Sequence, residues 1–258
     1  MIVSILFLSI ILIILTGIPV GIGLGVIGLT FSIIFEGQSA LISLPQTIFS
    51  SNNSFLLTAI PMFILMSEIL RKANVTEVLF DAVTKFIGHL PGGLAVSTVI
   101  TCAIGASITG SSVANAASMS IVAAPSMIKR GYDRKFTYGL IAASGTLGIL
   151  IPPSIPMLLY ASITEVSIGK LFISGIVPGL VLVILLCLYV IFKEKFFDNS
   201  DRKIEKATIS ARLRSFKTAL PALILPVIVV GGIYAGFFTP TEAAGVGVFF
   251  SFILGFFW

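Results

Sequence analysis

The sequence predicts an all-α integral membrane protein, a polytopic helical bundle with a re-entrant hairpin and a proline-broken span. Three observations carry this. Hydrophobic residues make up 57% of the 258 residues and charged residues only 10%, with a mean hydropathy of +1.12, whereas globular domains carry roughly 25% charged residues. The apolar residues fall in runs close to the ~20 residues that an α-helix needs to cross a hydrocarbon core. No strand-like alternation accompanies them, which argues against a β-barrel. The 24 Gly, 12 Pro and 21 Phe suit spans that pack closely or break midway.

The apolar stretch from Ile2 to Phe35 would be roughly 50 Å long as one helix, too long for one crossing without heavy tilt. Gly17 and Pro19 divide it into two elements, near 2–16 and 18–35. The N-terminus has no positive n-region and no small-residue cleavage site, as expected of a retained first span. A polar interval with Glu36, Gln38, Gln46, Asn52 and Asn53 leads to a span at Phe55–Leu70, closed by Arg71-Lys72. Over 75–87, Val75, Val78, Leu79, Ala82, Val83 and Phe86 share one helical face while Glu77, Asp81 and Lys85 lie opposite. That is the pattern of an amphipathic helix at the membrane interface.

After the turn Gly88-His89-Leu90-Pro91-Gly92-Gly93, the stretch 94–127 is free of charge and interrupted by Gly105-Ala-Ser-Ile-Thr-Gly-Ser-Ser. The cluster Lys129, Arg130, Arg134 and Lys135 closes it. A second uncharged stretch, the broken span 136–163, has Ile151-Pro-Pro-Ser-Ile-Pro at its centre, and a clean span follows at 171–192. Lys193–Lys217 holds eight Lys or Arg, among them Lys195, Arg202, Lys206 and Arg212, and reads as a basic cytoplasmic loop. The last apolar runs are Ala219–Phe238 and Thr241–Phe257; between them Thr239 and Glu242, three residues apart around Pro240, form a capping box.

Three basic clusters, Arg71-Lys72, Lys129–Lys135 and Lys193–Lys217, are expected in the cytoplasm. The chain between the first two therefore begins and ends on one side. Stretch 94–127 is too short for two full spans and a loop, so it reads as a hairpin that turns near mid-membrane, where irregular backbone survives only if protein or a wet cavity covers it. The same loops account for the net charge of +5, and without a basic–aromatic module nucleic-acid binding is not expected. Cys102 and Cys187 form no disulfide or metal spacing, and the single histidine, His89, reads as a surface residue. No His, Asp or Cys dyad lies at membrane depth, so an intramembrane enzyme is not expected; nor is a cofactor.

Two constellations carry chemistry. The first, Gly105 to Met119, offers Ser107, Thr109, Ser111, Ser112, Asn115 and Ser118. Free carbonyls at a broken helix, with hydroxyl and amide oxygens, are hard ligands suited to sodium, and the N-terminus of the second half-helix points N–H groups at anions. Broken helices at the midplane that serve ions in this way occur in secondary transporters. The same small residues also suit plain helix packing. The second is Gly145-Thr-Leu-Gly-Ile-Leu-Ile-Pro-Pro-Ser-Ile-Pro, where Pro152 and Pro153 free carbonyls three to four residues earlier. Those carbonyls can hold a cation, or the break is a proline kink capped by Ser154 and Thr146. Glu68, one turn before Arg71-Lys72, reads as the partner of one of them.

Together with Ile60-Pro-Met-Phe-Ile-Leu, the motifs Gly110-Ser-Ser-Val-Ala-Asn, Leu150-Ile-Pro-Pro-Ser-Ile-Pro and Phe238-Thr-Pro-Thr-Glu-Ala-Ala-Gly-Val resemble the large permease subunit of TRAP (tripartite ATP-independent periplasmic) transporters. The resemblance implies a sodium symporter of the elevator type in the bacterial inner membrane. Its substrates would be organic anions, dicarboxylates or sialic acids, and its partners a small membrane subunit and a periplasmic substrate-binding protein. It implies one sodium site from Ser111, Ser112 and Asn115 at the hairpin tip and Gly145, Thr146 and Pro152 at the break, with Ser107, Thr109 and Ser154 as substrate candidates. Members of that family are built as two inverted repeats. Residues 1–217 would form the first and 218–258 the beginning of the second, so the chain is expected to be a C-terminally truncated permease that inserts in a membrane without transporting. Gly17-Ile-Pro-Val-Gly-Ile-Gly-Leu-Gly-Val and Phe238-Thr-Pro-Thr-Glu-Ala-Ala-Gly-Val-Gly carry the faint internal similarity. The rival reading is an anion/sodium symporter of the same type that works without a binding protein.

Parity places Arg130 and Arg212 in the cytoplasm and Met1 outside. Cysteine introduced at Arg212 is expected to resist an impermeant reagent added to intact cells; labelling there would overturn the map.

Overall fold

The computed structural model describes residues 2–197 and 204–257, and the chain divides into two compact units at Ser54/Phe55. This division does not bear on the repeat boundary expected at 217/218.

The first unit has three helices, α1 (Ile2–Leu15), α2 (Val20–Glu36) and α3 (Ser39–Asn52). The long apolar stretch is thus two helices, parted at Gly17, whose φ of 74° suits a residue without a Cβ. Gly23 of α2 lies directly against the Ile13 side chain of α1. Helix α3 occupies what reads in sequence as a polar interval, and Pro45 sits inside it. Its hydroxyls explain this. Ser43, Thr47 and Ser50 each donate to a carbonyl three or four residues back, at 3.2, 3.0 and 3.1 Å, so the polar side chains are satisfied on the helix itself.

The second unit opens with a 3₁₀ turn, Phe55–Thr58, and continues through α4 (Ala59–Lys72), α5 (Val75–Ile87), α6 (Gly93–Thr109), α7 (Ser112–Lys129), α8 (Arg134–Gly145), α9 (Leu147–Leu150), α10 (Ile155–Thr164), α11 (Ile168–Phe197), α12 (Ile209–Tyr234) and α13 (Pro240–Phe257). Three stretches, Arg134–Thr164, Ile168–Phe196 and Ile209–Tyr234, are long and apolar enough to cross a membrane, and shorter apolar helices accompany them. The chain is a multi-pass, all-α membrane protein.

Two apolar clusters organise this unit. In one, Phe63, Met66 and Leu70 of α4 meet Leu79 of α5, Phe172 of α11, Leu225 of α12 and Ala243 and Ala244 of α13. In the other, Val99 and Cys102 of α6 meet Met119 and Met127 of α7, Ile141 of α8 and Val190 of α11. Helix α5 was expected to lay its apolar face on lipid. Instead Val75, Leu79 and Ala82 are buried against other helices of the unit, as is Phe80, which the stripe had not included.

The basic segment 193–217 is not simply a loop. Helix α11 runs on to Phe197 and α12 starts at Ile209, where Thr208 caps it by accepting the Ala211 N–H at 3.3 Å. Residues such as Arg212 and Leu213 extend the helix beyond its apolar part because they favour helix and need no burial. Arg202 lies outside the described residues. The capping box of α13 is formed: Thr239 N–H donates to Glu242 Oε2 at 2.7 Å and Glu242 N–H to Thr239 Oγ1 at 3.3 Å. Glu68 meets Arg71 at 2.7 Å, and Cys102 and Cys187 are free thiols.

Helix α13 packs closely on α4 because Ala243, Gly247 and Ser251 recur every fourth residue, and both Ala243 and Ser251 are fully buried. A Cβ on Gly247 would lie 2.6 Å from Met66 Sδ, the movable end of a flexible side chain. Gly247→Ala is therefore expected to be tolerated, whereas Gly247→Leu overpacks the seam at about 1–3 kcal/mol. Thermal unfolding in detergent should separate the two; identical midpoints would show that the seam is loose.

Candidate functional site

Four helix ends converge in the second unit. Helix α6 ends at Gly110, whose φ of 59° and N–H bond to Ala106 O (2.9 Å) make a tight left-handed cap. Ser111 then turns extended (φ −135°, ψ 124°) and starts α7, its Oγ accepting the Ala114 N–H at 3.4 Å. The sequence Thr-Gly-Ser-Ser thus builds a stop, a reversal and a new start within four residues.

The break opposite forms for a different reason. Pro152 and Pro153, joined by a cis peptide, have no N–H to continue the ladder of α9. Ile151 N–H still reaches Leu147 O at 2.9 Å, so the carbonyls that lose their helical donors are those of Gly148 and Ile149, and the buried Ser154 hydroxyl donates to the second at 2.7 Å. Ser154 is extended (φ −125°, ψ 127°) and α10 begins beyond it.

Tip and break meet through backbone. The Ile155 N–H, first donor of α10, is accepted by Gly110 O at 3.1 Å. A Cβ on Gly110 would come within 2.7 Å of Pro153 O, and one on Gly148 within 2.7 and 2.8 Å of Ser111 C and Ser112 N. A Cβ on Gly145 would lie 2.7 Å from Ala116 Cβ and 3.2 Å from Ser112 O. The two constellations, some thirty-five residues apart in sequence, therefore form one junction. N-terminal N–H groups of α7 and α10 and C-terminal carbonyls of α6 and α9 gather there, and no charged residue lies between 94 and 127. Such a junction offers acceptors to a cation and donors to an anion without a formal charge of its own.

The candidate side chains divide accordingly. Ser111, Ser112 and Gly145 lie at the junction, and Pro152 is buried beside it. Asn115 is 1% exposed and clamps the hairpin legs, its Nδ2 donating to Cys102 O at 2.8 Å while its Oδ1 faces Gly105. Thr146 is exposed and its hydroxyl donates to Ala143 O of its own helix at 2.7 Å, so it turns away from the hairpin. The three substrate candidates all spend their hydroxyl protons on nearby carbonyls. Ser107 donates to Ile104 O at 2.7 Å, Thr109 to Gly105 O at 3.0 Å and Ser154 to Ile149 O at 2.7 Å. As placed they present lone pairs, which suit a cation and leave anion binding to backbone N–H groups. Sequence reasoning placed freed carbonyls around Gly145–Gly148 but foresaw neither the close approach of Gly148 to the tip nor the Gly110–Ile155 bond. The signal for the first was present in Gly145 and Gly148, three residues apart on one helical face; no residue type marks the second.

A Cβ on Gly148 would strike backbone, unlike one on Gly247. Gly148→Ala is therefore expected to destabilise by about 1–3 kcal/mol, well beyond Gly247→Ala. Equal unfolding midpoints for the two alanine variants would mean that tip and break do not pack as described.

Residues 7–258 match the family described as "Tripartite ATP-independent periplasmic transporter, DctM component". The chain is 39% identical over 230 residues, 88% of its length, to the C4-dicarboxylate TRAP transporter large permease protein DctM of Pseudomonas aeruginosa, and covers 53% of that protein. It is 36% identical over 257 residues to the DctM protein of Vibrio cholerae, covering 98% of this chain and 56% of the relative. It is 33% identical over 241 residues, 93% of this chain and 55% of the relative, to the sialic acid TRAP transporter large permease protein SiaM of the same species. These relatives are permease components and not enzymes, and the chain spans about half the length of each. With its all-α membrane fold and the family match running from residue 7 to 258, the chain belongs to the DctM family of TRAP transporter large permeases.

Proposed function

We propose that the chain supplies the hairpin half of a sodium-coupled permease that imports small organic anions across the bacterial inner membrane. A periplasmic binding protein would deliver the substrate and a small membrane subunit would complete the permease. The observation that carries the reading is the junction of tip and break, where carbonyl and hydroxyl oxygens gather around helix ends that carry no side-chain charge. Hard oxygen donors of this kind suit an alkali cation, and the N–H ends of α7 and α10 suit an anionic group. The relatives named for C4-dicarboxylate and for sialic acid support a carboxylate-bearing substrate. On this reading Ser111, Ser112 and Asn115 from the hairpin, and Gly145 from the broken span, surround the coupling ion.

Placed in a full-length homologous permease reconstituted with its partners, Ser112→Ala and Asn115→Ala should raise the sodium concentration needed for half-maximal uptake, with Asn115→Ala also lowering thermal stability because its clamp on Cys102 O is lost. If both keep the parent's sodium dependence, the tip is packing alone. Uptake that persists when the binding protein is left out would favour the rival symporter.

A further inference from the structure

The start of α8 and the end of α11 meet through aromatic rings, and basic side chains surround the meeting point. Lys193 Nζ of α11 stands 3.7 Å from the centroid of the Phe136 ring of α8. Phe136 also lies against Tyr189, one turn earlier on α11, with ring centroids 6.5 Å apart, and stacks on Tyr132 at 6.1 Å. The ring holds the ammonium from one side, so Lys193 keeps N–H donors for an anion. Arg134 and Lys135, in the first turn of α8, and Lys195 on α11 are exposed. Arg71 and Lys85 elsewhere in the unit have carboxylate partners, but none of these four cations has an ion pair among the described residues. The carboxylates beside them in sequence are engaged elsewhere. Asp133 accepts the Phe136 N–H at 3.0 Å, and Glu194 is 8% exposed, its Cγ lying against Gly92 at the start of α6. With every charge counted, the stretches 129–135 and 193–206 hold nine Lys or Arg against five Asp or Glu. This end of the unit is net positive and concentrates anions.

Further along both helices the surface turns apolar. On α11, Leu185, Leu188 and Phe192 are exposed. On α8, Gly139 and Ala143, one turn apart, are exposed, and open space stands where a Gly139 side chain would be. Basic groups at the helix ends, aromatic rings next and aliphatic side chains beyond them follow the order of a membrane interface, where rings sit at headgroup level and long basic side chains reach past them. A soluble anion would use the basic groups alone, and a soluble protein would leave the apolar rows uncovered. A phospholipid with a negative headgroup matches both parts of the surface.

From the unpaired cations above an exposed apolar face we propose that the basic ends of α8 and α11 bind an anionic phospholipid. Arg134 and Lys193 hold its phosphate, and an acyl chain lies along Gly139 and Ala143. The charge bias that places Lys129–Lys135 and Lys193–Lys217 in the cytoplasm puts this lipid in the cytoplasmic leaflet. The inference goes beyond the transport reading and does not depend on the sodium site.

The test uses the full 258-residue chain, purified in detergent and offered phosphatidylglycerol and phosphatidylcholine with the same acyl chains, the bound lipids being counted by native mass spectrometry. Phosphatidylglycerol is expected to be retained in preference. Arg134→Gln and Lys193→Gln should each cut that preference about fivefold, the effect of one basic residue at a membrane surface. Lys217→Gln, which removes the same charge from an exposed position on α12, should leave it nearly unchanged. Gly139→Leu fills the open space without altering any charge and should lower phosphatidylglycerol retention; it serves if a glutamine variant fails to fold. Equal retention of the two lipids overturns the site. So does a loss with Lys217→Gln as large as with Lys193→Gln, which would mean diffuse attraction to the whole basic end. Retention that inorganic phosphate at equal concentration abolishes, or that Gly139→Leu leaves intact, would mean an anion site without a lipid.

Discussion

A helix that stops inside an apolar layer leaves carbonyls or N–H groups without water to bind them, each at a cost on the order of several kcal/mol. In the second unit two segments stop at one place, and they satisfy each other. Gly110 ends α6 and its carbonyl takes the first N–H of α10. The proline pair ends α9, and one of the two carbonyls it frees, that of Ile149, is taken by the Ser154 hydroxyl. Much of the local sequence follows from this exchange. Glycine stands at 110 and 148 because backbone approaches backbone there, and at 145 because the Ala116 side chain does; a Cβ at any of the three would intrude within 2.7 Å of a neighbour.

The rest of the unit supports that junction with ordinary packing. The hairpin legs are held by Asn115 on Cys102 O and by the apolar seam of Val99, Met119 and Met127. The amphipathic helix α5 and the pair α4–α13 form the second cluster, where small residues again allow close approach. The two kinds of glycine differ in what they touch. At the seam of α13 a side-chain end can yield; at Gly110 and Gly148 the neighbours are peptide groups, and they cannot.

Much of this was legible in the sequence. The helices of hairpin and break follow from uncharged apolar runs interrupted by Gly-Ser-Ser and Pro-Pro, and the capping box at Thr239 and Glu242 from spacing alone. What was not legible depends on tertiary partners. Helix α3 hides in a polar interval because its hydroxyls bond their own carbonyls. The start of α12 at Ile209 was masked by basic residues, which mark a side of the membrane without excluding a helix. The apolar face of α5 reads identically whether lipid or protein covers it. Among the candidate residues, Thr146 and Asn115 share the right chemistry, yet Thr146 lies exposed on a carbonyl of its own helix while Asn115 lies buried between the hairpin legs.

The shared backbone bond also bears on how the two constellations move. Separating tip from break would strand the Gly110 carbonyl and the Ile155 N–H together and open the contact at Gly148, whereas displacing the pair as one body breaks none of these. Motion within this unit is therefore cheaper at its rim than at its junction. The wall between α7 and the α4–α5 end is such a rim: the Glu68–Arg71 ion pair it carries lies within α4 itself. Helix α7 can shift against α4 and α5 there without losing a backbone hydrogen bond, so a junction that stays together and a wall that can slide are consequences of the same distribution of backbone and side-chain contacts.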